Sequence, residues 1–159
     1  MTPWHTWDGE DDAELVSRVL NYLNSRLPEG YYALAQAYII IDAEDGKSQW
    51  YQHVTEDDVK EITKGMKPLI IHPDILVLKI MDIRGEMRPH GMDRIVCAVE
   101  LDGSIHDTRR GRKKDVKRSV KYETGGIHRV VINQADYAAL HKEPQEGAWA
   151  GVEHHIHSA

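Results

Sequence analysis

Four acidic or basic side chains crowd the end of one apolar run, Ile95–Leu101: Glu100 within it, then Asp102, His106 and Asp107. Directly behind them, residues 109–121 hold eight Lys or Arg and a single acid, Asp115. Carboxylates suit hard divalent cations, and a dense cationic stretch suits phosphate. A site that hydrolyses a phosphodiester needs both: a positioned water, and neutralisation of the charge that develops on phosphorus and on the leaving oxygen. Mg²⁺ serves with one or two carboxylates and a carbonyl oxygen, because it keeps several of its waters. Asp74 opens an earlier apolar run, and Glu100 ends the next one. Two strands joined through the polar loop at 84–93 run antiparallel, which brings Asp74 and Glu100 to one sheet edge, where they can share a cation. Asp102, two residues on, projects to the same side as Glu100 while the strand persists.

The charge balance frames this reading. The net charge is −6. Residues 109–121 carry a net +7, which leaves −13 on the rest of the chain. An acidic body with one concentrated basic segment still focuses a polyanion on that segment. Its non-specific binding is weak and salt-sensitive. Arg109, Arg110, Arg112, Lys113, Lys114, Lys117 and Lys121 are the candidate phosphate contacts. Such contacts position a nucleic acid without reading its sequence. Asp115 and Arg118 have the spacing of an i, i+3 pair on a helix. The His154-His-Ile-His157 cluster has ligand chemistry for transition metals, but sits in a stretch with weak patterning.

These residues need elements to hold them. Leu15, Val16, Val19, Leu20, Leu23 and Leu27 form one apolar helical face, with acids at its start and Pro28-Glu29-Gly30 at its end. Tyr31–Ile41 reads as one strand closed by a turn at 42–46. Thr55 caps a short helix through Val59 and Ile62. Pro73 divides Leu69–Met81 into an entry segment and a strand from about Ile75 to Ile83. Ile95–Leu101 is continuously apolar, as a central strand buried on both faces would be. A basic loop at 107–112 leads into a helix over about 113–124, with Val116 and Val120 inward and the lysines outward. Gly125-Gly126 stops it before a strand at 127–133. The sum is a single α/β domain over residues 1–142, a central mixed β-sheet flanked by helices, with 143–159 as a loosely ordered tail. The strand 95–101, helix and strand 127–133 form a parallel crossover unit.

The chain of 159 residues is long enough for one real core. Cys97, alone, sits in an apolar strand and reads as a small buried hydrophobe, so disulfides and cysteine-based zinc sites are excluded. A reducing, cytoplasmic setting follows. No apolar run reaches the length of a membrane span, and the N-terminus has no secretory pattern.

His72-Pro-Asp-Ile-Leu-Val-Leu-Lys79, a loop, and Val99-Glu-Leu-Asp102 resemble the signature of the PD-(D/E)xK nucleases of restriction-endonuclease-like fold. Val99-Glu-Leu-Asp-Gly-x-x-His106, Asp115-x-x-Arg118 and Gly126-Ile-His-Arg-Val-Val-Ile-Asn133 resemble more specifically the branch akin to very-short-patch repair endonucleases. The resemblance covers residues 70–133. It implies a Mg²⁺-dependent DNA endonuclease, with Mn²⁺ as a substitute ion. Asp74, Glu100 and the Leu101 carbonyl would be metal ligands, and Asp74, Glu100, Asp102 and His106 the catalytic set. The third position of that signature is normally Lys, and here it is Asp102. His106 has the chemistry to act as acid or base instead, as has Lys113 or Lys117 reaching in from the helix. Glu14 on the first helix is a candidate accessory carboxylate. A palindromic or junction substrate would call for a homodimer. Two rival readings follow from the same residues: a catalytically inactive nuclease-fold module that binds nucleic acid or protein, and an unrelated α/β protein whose acids are turn residues.

Overall fold

The apolar stripe of the first helix decides where the core begins. In a computed structural model, which describes residues 12–81, 93–102, 109–133 and 143–157, α1 (Asp12–Arg26) buries Leu15, Val19 and Leu23, one residue per turn. Beneath it lies a four-stranded sheet in the order β1-β5-β6-β7. Its members are β1 (Tyr31–Ala35), β5 (Ile75–Lys79), β6 (Arg94–Asp102) and β7 (Arg129–Asn133). The β1–β5 and β5–β6 pairs are antiparallel, and β6–β7 is parallel. The sheet is therefore mixed, as the sequence implies, and β6 is a central strand with Val96 to Glu100 all buried. Asn24 of α1 fastens the helix to the edge strand: its side chain donates to the Ala33 carbonyl at 3.0 Å and accepts from the Ala33 amide at 2.8 Å. An edge strand's open backbone groups are thus covered.

A second sheet covers the opposite face. Its order is β3-β2-β4, with β2 (Ala37–Asp42), β3 (Ser48–Gln52) and β4 (Pro68–Ile71), all antiparallel. The expected single strand over Tyr31–Ile41 is in fact two strands in two sheets. The break falls at Gln36, whose φ of 60° turns the chain out of the first sheet. β3 was not anticipated; its Trp50 is buried against the second sheet's Ile39 and Ile41. Between β3 and β4, α2 (Glu56–Ile62) begins with Thr55 and Asp58 capping each other reciprocally. That pairing holds the Asp58 carboxyl below its ordinary range, chiefly through the Thr55 backbone and then its side chain.

α3 (Arg109–Gly125) starts earlier than the sequence suggests and crosses between β6 and β7. It ends in a Schellman motif: the Ile127 amide donates to the Tyr122 carbonyl at 3.0 Å and the Gly126 amide to Glu123 at 3.1 Å. Gly126 supplies the required positive φ of 65°. Tyr122 and Ile127 both enter the core shared by the two sheets. Residues 144–157 correct the expectation of a loose tail. They form α4 (Pro144–His157), whose Ala148 and Val152 are buried in the same cluster as Leu15, Leu23, Val99 and Ile132. Gly151 lets it approach β7, since a Cβ there would stand 2.5 Å from Val130 Cγ1. Cys97 is buried as expected, and burial pushes its thiol up to about 12.

Candidate nucleic-acid site

Alternation along β6 decides where each side chain goes. Val99 faces α1 and α4, and Ala98 faces the second sheet. Glu100 follows the parity of Ala98 and reaches the α3 side, where it is 4% exposed. A carboxylate taken out of water is costly unless it is paired and hydrogen-bonded. Here it is held on every side. Arg129 Nε donates to Oε2 at 2.8 Å, and Arg129 Nη2 stands 2.8 Å from the same oxygen. Arg118 Nη1 donates to Oε2 at 3.3 Å, and the Tyr122 hydroxyl donates to Oε1 at 2.8 Å. Burial first, and then the Glu100 charge, push the Tyr122 phenol far up, so it remains an O–H donor at all working pH values. Arg129 also donates to Ser119 Oγ at 3.1 Å and lies over the Tyr122 ring. Arg129 of β7 and two residues of α3, Arg118 and Tyr122, therefore converge on one carboxylate.

This arrangement reverses the expected facing of α3. Val116 and Val120 are 64% and 52% exposed rather than inward. Arg118, placed by the sequence in an i, i+3 pair with Asp115, has Glu100 as its ion-pair partner among the described side chains. Lys121, expected outward, donates to the Ile70 carbonyl of β4 at 3.1 Å. Lys117, Arg118 and Lys121 join Ile70, Ile71, His72 and Glu100 around a cleft of about 340 Å³ between β4 and α3. Among the described residues that line it, three are Lys or Arg and one is an acid.

Asp74 sits just beyond the Ile75–Val99 pair, next to Glu100 in that register. Its Oδ2 accepts from the Leu101 amide at 2.8 Å. The aspartate thereby extends the ladder past Pro73 and meets the backbone of the residue that follows Glu100. It borders a different hollow, of about 410 Å³, on the α1 side. His72 borders both hollows and stacks on Tyr38, with ring centroids 4.2 Å apart. Glu14 is exposed on α1. His106 lies outside the described residues, as do the side chains of Asp102, Arg109, Arg110, Arg112, Lys113, Lys114 and Asp115, whose backbones end β6 and open α3.

Arg129 and Tyr122 were not foreseen as site residues. The signal for Arg129 was present: a strand of alternating Val and Ile that starts with Arg, beside a parallel strand that ends in buried Glu. Tyr122 offered no such signal. Among the described residues the histidines of α4 join no group of three or more side chains that could hold a metal ion; His128 and His155 stack at 4.5 Å. Burial, followed by the neighbouring His128 and His154, lowers the His155 pKa.

Among the described residues, no group of three or more His, Cys, Asp or Glu side chains is placed to hold a metal ion. A Mg²⁺ site here would rest on Asp74, the Leu101 carbonyl and Glu100. These hard oxygen donors fit the ion in kind. On Glu100 the oxygen suited to it is Oε1, which accepts from Tyr122 alone among the described residues, whereas Oε2 is occupied by guanidinium groups. Comparison with family models, with curated proteins and with solved structures finds no match. No helix among the described residues is long and apolar enough to cross a membrane.

Proposed function

We propose that the chain is a metal-dependent DNA endonuclease, in keeping with its resemblance to the PD-(D/E)xK nucleases. The observation that supports it most is the meeting of Asp74 with the Glu100–Leu101 backbone, through the 2.8 Å bond from the Leu101 amide, at the sheet edge beside the cationic cleft. In this reading Lys117, Arg118 and Lys121 take the backbone phosphate. Such contacts fix the strand without reading it. Arg129 and Tyr122 hold the Glu100 carboxylate in one orientation. Asp74, Glu100 and the Leu101 carbonyl would hold Mg²⁺, or Mn²⁺ in its place, and the ion would supply an activated water and charge neutralisation.

A second reading, nucleic-acid binding without cleavage, has its own observation. Glu100 is already surrounded by donors, and Asp74 and Glu100 border different hollows. One experiment separates them: nicking of supercoiled plasmid with Mg²⁺ or Mn²⁺ by the wild type, Asp74→Asn and Glu100→Gln, with DNA binding followed in parallel. The endonuclease reading expects nicking by the wild type that both variants lose while still binding. Nicking that survives both substitutions removes this site. Binding without nicking in the wild type selects the second reading.

A further inference from the structure

The hollow beside Asp74 has a composition unlike that of the cationic cleft. Val16 and Leu20 of α1 and Ala35 at the end of β1 give it apolar walls, and Ser17, Gln36 and Asp74 place hydrogen-bonding groups at its border. Apolar walls with a few polar groups, in a volume of about 410 Å³, fall within the range of roughly 300–1,000 Å³ typical of small-ligand pockets. Gln36 is held at a φ of 60°, a backbone conformation uncommon for a residue with a side chain. It therefore borders the hollow from a position the chain adopts at some cost. Exposed His72, backed by Tyr38, is the ridge between this hollow and the cleft that carries Lys117, Arg118 and Lys121.

A nucleotide has the same division: a charged phosphate, and a flat apolar ring with hydrogen-bonding edges. Bases within a duplex offer only their groove edges, whereas an unpaired base exposes its ring faces and its pairing edge. We infer that the hollow bordered by Val16, Leu20, Ala35, Ser17, Gln36 and Asp74 receives an unpaired nucleobase of the strand whose phosphate lies in the cleft across His72. The inference rests on the phosphodiester reading above and narrows it to strands with an unpaired nucleotide. The Gln36 side-chain carbonyl accepts from exocyclic amines, its amide donates to ring acceptors, and the aliphatic walls cover the ring.

The test is fluorescence anisotropy with the whole chain and three labelled oligodeoxynucleotides of equal length. These are a single strand, the same strand with abasic spacers in place of its nucleosides, and a fully paired duplex. The intact single strand is expected to bind about tenfold more tightly than the abasic strand, the scale of one base contact, and more tightly than the duplex. Ser17→Trp, on the exposed side of α1, fills the hollow without removing a core residue. It should bring the intact strand down to the abasic strand's affinity and leave the abasic strand unchanged. Equal affinity for intact and abasic strands in the wild type overturns the nucleobase site while the phosphate cleft stands. Failure of every oligonucleotide to bind, or binding indifferent to Lys117→Glu with Lys121→Glu, overturns the phosphodiester reading and the nucleobase site with it.

Discussion

The two faces of the four-stranded sheet are covered in opposite ways. On one face α1 and α4 bring aliphatic side chains, and the contact is dry: Leu15, Val19 and Leu23 from α1, Ala148 and Val152 from α4. On the other face the second sheet adds an apolar layer with Ile39, Ile41 and Trp50, and at one end of it α3 brings Tyr122 and a guanidinium to a buried carboxylate, while its valines look outward. The first face is built from groups that gain by leaving water. The second holds charges that the fold could do without, since a well-packed apolar substitute for a buried ion pair is often no less stable. Charge is retained at one end of one face only, beside the cationic cleft.

That contrast can be broken directly. Glu100→Ala takes away the carboxylate that stands 2.8 Å from Arg129, whose side chain is 13% exposed. It should cost roughly 3–5 kcal/mol in denaturant unfolding, the range for a buried pair that loses one member. Adding Arg129→Met to Glu100→Met should recover most of that loss yet abolish nicking, with DNA binding retained through Lys117, Arg118 and Lys121; failure to recover would mean the charges do serve stability. Leu23→Ala on the dry face should cost about 2–5 kcal/mol, with the loss unchanged between low and high salt. Any salt dependence there would blur the distinction.

The smallest effect concerns pH. His155 of α4, stacked on His128, has a folded pKa below its ordinary 6.5. The folded state thus takes up its proton later than the unfolded chain does, and stability rises with pH in that window. The contribution is complete above 6.5 and is lost as the pH falls below it. His155→Phe should flatten the acid side of the stability profile; an unchanged slope would place its origin elsewhere.

Much of this frame was legible because strong periodicity leaves few choices. α1 shows one apolar residue per turn, β6 is apolar throughout, and Gly125-Gly126 marks the end of α3. Pro73 correctly separated β4 from β5, and the loop and crossover gave the antiparallel and parallel pairings. What failed was less periodic. Gln36 adopts a positive φ without being Gly or Asn, so nothing in Tyr31–Ile41 announces two strands. α4 is built from Ala, Gly and His, whose burial depends on a partner surface no local pattern records. The facing of α3 misled for a physical reason: valines were placed inward by hydrophobicity, but buried Glu100 draws Arg118 and Tyr122 to the inside. At the site, Asp74 and Glu100 stand at one sheet edge as the sequence implies. Their hydrogen-bond partners are set by tertiary contacts across residues 74–129, beyond the reach of local spacing.

The departure of the chain at Gln36 has a mechanical side. Ala35 and Ile75 are directly paired, so residues 36–74 leave the main sheet and rejoin it at one place. The second sheet is in effect a loop grafted between two neighbouring strands, with its hinge at Gln36 and its return at His72-Pro73-Asp74. Both ends of the graft border the hollow beside Asp74. The packing of the small sheet on the main one therefore also fixes where Gln36, His72, Pro73 and Asp74 stand around that hollow.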